Sequence, residues 1–136
     1  MALAGYPALE WRGAPAGTKS FALTVFDPDA PTGSGWWHWV VFNIPANATR
    51  LEAGAGSTKP GALPSGAVQS NTDFGKPGYG APCPPPGKKP HRYIFTVFAL
   101  DVDKLDVPAS ATAAFVGFNL LGHTLAKATL TGTYRR

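Results

Sequence analysis

A proline-rich stretch from Gly80 to Tyr93, GAPCPPPGKKPHRY, restricts what this chain can fold into more than any other segment. Proline fixes φ and lacks an amide donor, so three consecutive prolines cannot enter a helix or the middle of a sheet. The segment must therefore be a stiff loop. It leads into Tyr93–Leu100 (YIFTVFAL), an apolar run of aromatic and β-branched residues that is typical of a strand buried on both faces.

Two other runs predict a pair of strands. Phe21–Phe26 (FALTVF) has the composition of a strand buried on both faces, and the prolines of the following DPDAP end it. After a short loop over Thr32–Trp36, Trp37–Ile44 (WHWVVFNI) predicts the next strand. So short a connection cannot make a parallel crossover, and we therefore expect the two strands to pair antiparallel.

Side-chain alternation along these strands places polar groups at one rim of the sheet. Asp27 continues the parity of Val25, and His91 shares the parity of Tyr93. His38 has the same parity as Val40, Phe42 and Ile44. If the strand that begins near Tyr93 lies alongside the antiparallel pair, these four polar residues line one small pocket under the proline loop.

Composition favours an all-β fold. The 136 residues are expected to form a single domain, 1–136, with enough apolar content to fold without disulfides or a structural metal. Gly 16 and Pro 14, together with strand-like runs between turns, predict a mainly β protein, an antiparallel β-sandwich. The lone cysteine, Cys83, excludes an internal disulfide.

The net charge of +4 is concentrated beside the predicted pocket, in Lys88, Lys89, His91 and Arg92. These charges favour an anionic ligand, although a solvated basic loop explains them as well. The sequence has no basic stripe and no zinc-ligand spacing, so nucleic acid is not an expected partner. Neither a leader nor a membrane-spanning run is recognisable, so we expect a cytoplasmic protein that is not membrane-embedded.

The C-terminal third predicts one or two short helices and a last strand. Ala111–Leu121 should be helical, with Ser110 or Thr112 as N-cap and Gly122 as the C′ residue. A second helical turn is expected at His123–Lys127 and a strand near Thr129–Tyr134. The first helix carries no charge, and its apolar side chains cannot all face one core; they are Phe115, Val116, Phe118, Leu120 and Leu121. A homodimer that covers the remainder is therefore predicted.

Two segments between the predicted strands are expected to be loops. Pro45–Pro64 is rich in small residues, which bury little apolar surface, so we expect a mobile surface loop. Gln69–Gly80 has turn chemistry and is expected to hold the proline loop in place. Tyr79 within it could line the pocket, but a packed loop aromatic is the favoured interpretation. His123 is expected to be structural.

The polar residues of the pocket admit three chemistries. Imidazoles, a phenol and loop amides can hold a phosphate or carboxylate, with Asp27 orienting a histidine and keeping it protonated. Two histidines and a carboxylate can also bind a metal, but they lack short-range ligand spacing. Hydrolysis would need a nucleophile, for which the candidates are Cys83 and Tyr93. Taken singly, Asp27 could cap a turn and either histidine could be a satisfied strand-end residue.

Several motifs together resemble the phosphatidylethanolamine-binding protein family, most closely its bacterial Raf-kinase-inhibitor-like branch. They are DPDAP, the Trp-x-His that opens a strand, PCPPPG and PHRY, and the similarity extends from about Pro7 to Tyr134. The resemblance implies a Greek-key sandwich with a non-enzymatic anion pocket and no cofactor. The ligand would be a phosphate-type anion or a phospholipid head group, and a kinase or protease a possible protein partner.

The resemblance also implies which residues bind the ligand. They are Asp27, Asp29, Pro31, Trp36, His38, Pro84, Pro85, His91 and Tyr93, with Asp29 and Pro31 shaping the wall. The segment before Ala8 is shorter than is usual in the family. A sheet edge that relatives cover is therefore expected to be exposed here.

Overall fold

The computed structural model describes residues 1–5, 8–82, 84, 86–87 and 89–134. Its elements are β1 (Ala2–Ala4), β2 (Leu9–Arg12), β3 (Ser20–Asp27), β4 (Trp36–Pro45), β5 (Arg50–Leu51), β6 (Val68–Gln69), β7 (His91–Leu100), α1 (Ala113–Leu121) and β8 (Thr124–Tyr134). The prediction of a mainly β, antiparallel sandwich is confirmed.

The strands form two antiparallel sheets. The small sheet has the order β1-β2-β5, and the large sheet has the order β6-β4-β3-β7-β8. β3 pairs with β4 from Ser20 opposite Pro45 to Asp27 opposite Trp36, as the short connection predicts. β3 also pairs with β7, with Phe26 opposite Ile94. The end of β3 therefore lies between the beginnings of β4 and β7.

The large sheet is covered on both faces, which explains why its central strands are apolar throughout. One face packs against the small sheet through residues that include Trp11, Leu23, Val41, Leu51 and Val97. The other face packs against α1 and the segment before it, through residues that include Val40, Phe42, Leu105, Val116 and Leu120. Trp11, which is 3% exposed, is thus a core residue.

Helix α1 begins after Thr112, whose side chain accepts a hydrogen bond from the Phe115 amide at 3.1 Å. One stripe of the helix, Ala113, Val116 and Leu120, is buried against the large sheet. The adjacent stripe of Phe115, Phe118 and Leu121 is exposed. Gly122, expected as the C′ residue, is instead the C-cap, with φ −79° and its amide donating to the Leu120 carbonyl.

The predicted second helical turn at His123–Lys127 is wrong, because β8 already begins at Thr124 and runs to Tyr134. Ala126, Ala128 and Leu130 alternate toward the inter-sheet core, and the strand pairs with β7 along its length. Tertiary pairing therefore overrides the helical preference of the Leu-Ala-Lys-Ala segment. The described residues contain one helix, the lower of the two numbers expected.

The loop after β4 buries more than its composition suggested. Leu51 of β5 and Ala55 are buried in the inter-sheet core. These two side chains attach the loop to the sandwich, while most of its other residues are exposed. That Pro45–Pro64 is a mobile surface loop stays a prediction.

Candidate functional site

Asp27 and His91 form a buried pair at the rim of the large sheet. Asp27 ends β3 and His91 begins β7, and the two residues are 2% and 6% exposed. His91 Nδ1 donates to Asp27 Oδ2 at 2.7 Å, while Asp27 Oδ1 accepts the Asp29 amide at 2.8 Å. The carboxylate therefore fixes both the histidine ring and the start of the DPDAP loop.

His38 reaches the same rim through a β-bulge. Val25 pairs with Trp39 and Phe26 with Trp37, so His38 is the extra residue between the two pairs. The bulge places His38 against Tyr93, with ring centroids 5.2 Å apart. Simple alternation is therefore wrong for this strand: Val40 and Phe42, which share the parity of His38, pack on the helix-covered face.

The ring of His38 is held by Gly80. His38 Nδ1 lies 2.7 Å from the Gly80 carbonyl oxygen, and the Gly80 amide donates to the His38 carbonyl at 2.8 Å. A carbonyl only accepts, so Nδ1 carries the proton and Nε2 of the neutral ring is an acceptor. Burial lowers the pKa of His38 below its ordinary value of 6.5, although the Gly80 hydrogen bond and the Asp27 carboxylate oppose that shift.

These residues line a cavity of about 330 Å³. Six of the nine predicted binding residues line it, namely Asp27, Pro31, Trp36, His38, His91 and Tyr93. Pro84 is buried but is not among the lining residues, and Pro85 lies outside the described residues, as do Cys83 and Lys88. Three further residues line the cavity that were not predicted from the sequence, Ala30, Thr32 and Phe74.

Phe74 closes one side of the cavity. Its ring makes edge-on contacts with Trp36 and His38, at centroid distances of 5.4 and 5.5 Å. A Cβ at Gly80 would lie 2.2 Å from the Phe74 ring, so the ring needs a glycine there. The glycine and the aromatic residue stand in the same turn-rich segment, but nothing in that pattern indicates that the ring faces the pocket.

Asp29 does not line the cavity, contrary to the role expected for it. Both of its carboxylate oxygens accept from the Arg92 guanidinium at 2.9 Å, and Oδ2 also accepts the Arg92 amide. These hydrogen bonds lower the pKa of Asp29 to about 2. Asp29 therefore ties the DPDAP loop to β7 beside the cavity, where its charge is already neutralised.

The segment before the proline loop is anchored to β4. Asp73 accepts the Trp37 amide at 2.8 Å, and Gly80 is bonded to His38 as described above. Tyr79 lies against Trp39 at a ring distance of 5.8 Å and lines a different cavity. His123 pairs with Asp101 at 2.9 Å and does not line the cavity of His38 and His91.

Metal ligation has little geometric support in the described part of the chain. It contains no group of three or more His, Cys, Asp or Glu side chains placed to hold a metal ion. The Nδ1 atoms of His38 and His91 and both Asp27 oxygens are already used in hydrogen bonds within the protein.

In the same described ranges, no helix is long and apolar enough to cross a membrane.

Fold and site together define a β-sandwich protein with a small rim cavity that contains two oriented histidines. The sequence model of the phosphatidylethanolamine-binding protein family matches residues 2–135. The chain therefore belongs to that family, as its motifs suggested.

Relatives from Escherichia coli are similar over nearly the whole chain. The UPF0098 protein YbhB is 55% identical over 94% of this chain and 80% of its own length. The UPF0098 protein YbcL is 53% identical over 94% of this chain and 70% of its own length. The crystal structure of YbcL, described as a new member of the mammalian family, superposes with a TM-score of 0.92 at 48% identity. That match covers 99% of this chain and 87% of the other.

Proposed function

We propose that this protein binds a phosphate-type anion, free or as a phospholipid head group, in the cavity of Asp27, His38, His91 and Tyr93, and that it does so without catalysis. The observation that carries the proposal is that two buried imidazoles at one cavity are each fixed through Nδ1. This arrangement leaves Nε2 of each ring as the nitrogen available to a ligand. Two oriented ring nitrogens at one small cavity suit a compact polar group.

The hydrogen bonds of the two rings predict complementary roles. Asp27 accepts from Nδ1 of His91, so Nε2 of that ring donates to an anion only when it also carries a proton, whose charge the Asp27 carboxylate would balance. His38 with Nδ1 bonded to Gly80 is an acceptor at Nε2 unless it takes up a proton. A phosphate therefore binds best when it carries a hydroxyl that donates to His38, or when binding brings a proton to that ring.

Two nucleophile candidates were considered from the sequence. Cys83 lies outside the described residues, and Tyr93, which lines the cavity, offers a phenol beside the Asp27–His91 pair. The Thr32 hydroxyl, which also lines the cavity, donates to the Gly35 carbonyl. The metal-dependent enzyme is the less favoured interpretation, because the described residues contain no group of three or more His, Cys, Asp or Glu side chains placed to hold a metal ion.

The remaining assignments stay predictions. Cytoplasmic localisation and inhibition of a kinase or protease follow from the sequence and the resemblance alone. A homodimer gains some support from the exposed stripe Phe115, Phe118 and Leu121, because apolar patches of this kind are commonly covered in an interface. Sedimentation of the wild type and of Phe118→Lys tests it, and a wild-type monomer at micromolar concentration would contradict it.

Thermal unfolding with phosphate and with phosphoethanolamine tests the binding proposal. Either ligand should raise the melting temperature of the wild type, because a ligand that binds only the folded state stabilises it. Asp27→Asn and His91→Ala should lose that increase, while the matched control His123→Ala should keep it. Equal increases in all four proteins would exclude the cavity as the binding site. A preference for phosphoethanolamine over phosphate would indicate the head group as the source of the anion.

A further inference from the structure

A second cavity, of about 310 Å³, opens between the loop after β5 and the same face of the large sheet. Its walls are mainly apolar and aromatic, with Glu52 and Ser57 as polar members. The apolar and aromatic residues are Leu9, Trp39, Leu51, Ala55, Tyr79 and Phe95. The anion site does not use any of these side chains. Their chemistry suits a hydrocarbon rather than a charged group.

The second cavity is a neighbour of the anion cavity along three segments of the chain. Trp39 directly follows His38, and Tyr79 directly precedes Gly80, which holds the His38 ring. Phe95 lies two residues after Tyr93 on the same face of β7, about 7 Å farther along the strand. The linings of the two cavities, which share no residue, are therefore adjacent along β4, along β7 and at the segment that ends in Gly80.

The walls of the second cavity are preformed. Trp39 Nε1 donates to Gln69 Oε1 at 2.6 Å, and Gln69 Nε2 donates to the Ser57 carbonyl at 3.0 Å. The Tyr79 amide donates to the Gly56 carbonyl at 2.8 Å. A Cβ at Gly56 would lie 2.3 Å from Cβ of Tyr79, so this close packing requires glycine. Gln69, which stands behind the wall, thus links Trp39 to Ser57 and holds the Trp39 ring in place.

We propose that the second cavity takes the alkyl chain of the ligand whose phosphate occupies the anion cavity, so that the ligand class is a single-chain amphiphilic phosphate. This inference rests on the proposed anion-binding function. The volume is at the low end for ligand cavities, which suits one chain rather than the two chains of a diacyl lipid. The chain lies along β4 and β7 from the His38 end of the sheet toward Trp39 and Phe95.

A chain-length series measures this directly. Inorganic, methyl, butyl, hexyl and octyl phosphate are titrated calorimetrically into the full chain, each below its micellar concentration. The Kd should fall with chain length by up to about fourfold per methylene that enters the cavity, and then level off when the cavity is full. The heat capacity change of binding should become more negative in parallel, because apolar surface is being buried.

Substitutions then locate the chain. Ala55→Phe fills the cavity and should abolish the dependence on chain length while the affinity for inorganic phosphate is kept. Phe95→Gln, at a half-buried wall position, should weaken the dependence without filling the core. Phe118→Ser is the matched control, because it removes an apolar side chain from the exposed helix stripe and should change neither quantity.

The outcomes separate the two proposals. A Kd that is independent of chain length overturns the alkyl cavity but leaves anion binding intact. The alkyl cavity is also overturned if Kd still depends on chain length in both Ala55→Phe and Phe95→Gln. Loss of that dependence in Phe118→Ser would overturn it as well. In either case the alkyl chain binds elsewhere. Failure of the wild type to bind inorganic phosphate, with octyl phosphate still bound through the cavity, would instead overturn the anion-binding function.

Discussion

Asp27 and His91 are 64 residues apart in sequence, yet their side chains meet at 2.7 Å in a nearly dry environment. They meet because β3 and β7 are direct neighbours, with Phe26 opposite Ile94 as the last register pair before the rim. A buried pair of this kind is costly to break from one side, because the remaining partner keeps its desolvation penalty.

The first prediction concerns that coupling. His91→Ala should lower the free energy of unfolding by about 3 kcal/mol, because it leaves the buried carboxylate unpaired. The double variant with Asp27→Asn should be less destabilised than the sum of the two single changes. Urea unfolding of the four proteins measures the cycle. Additive losses would mean that the pair is not coupled in solution.

The second prediction concerns pH and His38. Because burial lowers its pKa below 6.5, the unfolded chain takes up a proton at this ring at a higher pH than the folded chain does. Stability contributed by the neutral ring is therefore complete above about pH 6.5 and declines as the pH falls below it. Melting temperatures of ligand-free protein between about pH 5 and 8 should show this decline. The melting temperature should decline less in His38→Gln than in the control His123→Gln. Equal slopes of melting temperature against pH in the two variants would contradict a lowered pKa of His38.

The third prediction concerns the link between the DPDAP loop and β7. Arg92 holds the pKa of Asp29 at about 2, compared with an ordinary value of 3.8. Stability from this carboxylate is present above pH 3.8 and is lost as the pH falls toward about 2. In Arg92→Gln the titration midpoint of the Asp29 carboxyl, followed by NMR, should rise toward 3.8. A midpoint that does not move would show that the Arg92 hydrogen bonds are not formed in solution.

The fourth prediction compares the two stripes of α1. Leu120 is 2% exposed, so Leu120→Ala should cost about 2 to 5 kcal/mol of stability. Phe118 is 72% exposed, and Phe118→Ala should change stability by under about 0.5 kcal/mol. Urea unfolding measures the free energy of unfolding of both variants. Similar losses of stability in the two would contradict the orientation of the helix. For the same reason only Phe118, and not Leu120, is a suitable position for testing self-association.

The sequence predicts the centre of this fold well. Apolar runs bounded by prolines are strong signals, so the three central strands and the antiparallel pairing of β3 with β4 follow from them. The gathering of Asp27, His91 and Tyr93 at one rim depends only on strand ends and parity. It therefore follows from the sequence once the strands are adjacent.

Other features depend on contacts that a local pattern does not encode. His38 reaches the cavity because of a bulge, and alternation alone would have placed it beside Val40 on the helix-covered face. Lys127 lies in a strand because Phe98 pairs with it, despite its helix-forming neighbours. The orientation of Phe74 is set by its packing over Gly80, which only the folded chain reveals.

Anion binding in the cavity is measured most directly at the three histidines of the chain, His38, His91 and His123. Nitrogen NMR of the imidazoles during a phosphate titration follows each ring separately. We expect the Nε2 signals of His38 and His91 to shift and saturate together, while the signals of His123, paired with Asp101, stay unchanged. A titration with sodium chloride at equal ionic strength is the control. If the His38 and His91 signals do not shift with phosphate, or if all three rings shift as they do with sodium chloride, the cavity is not the anion site.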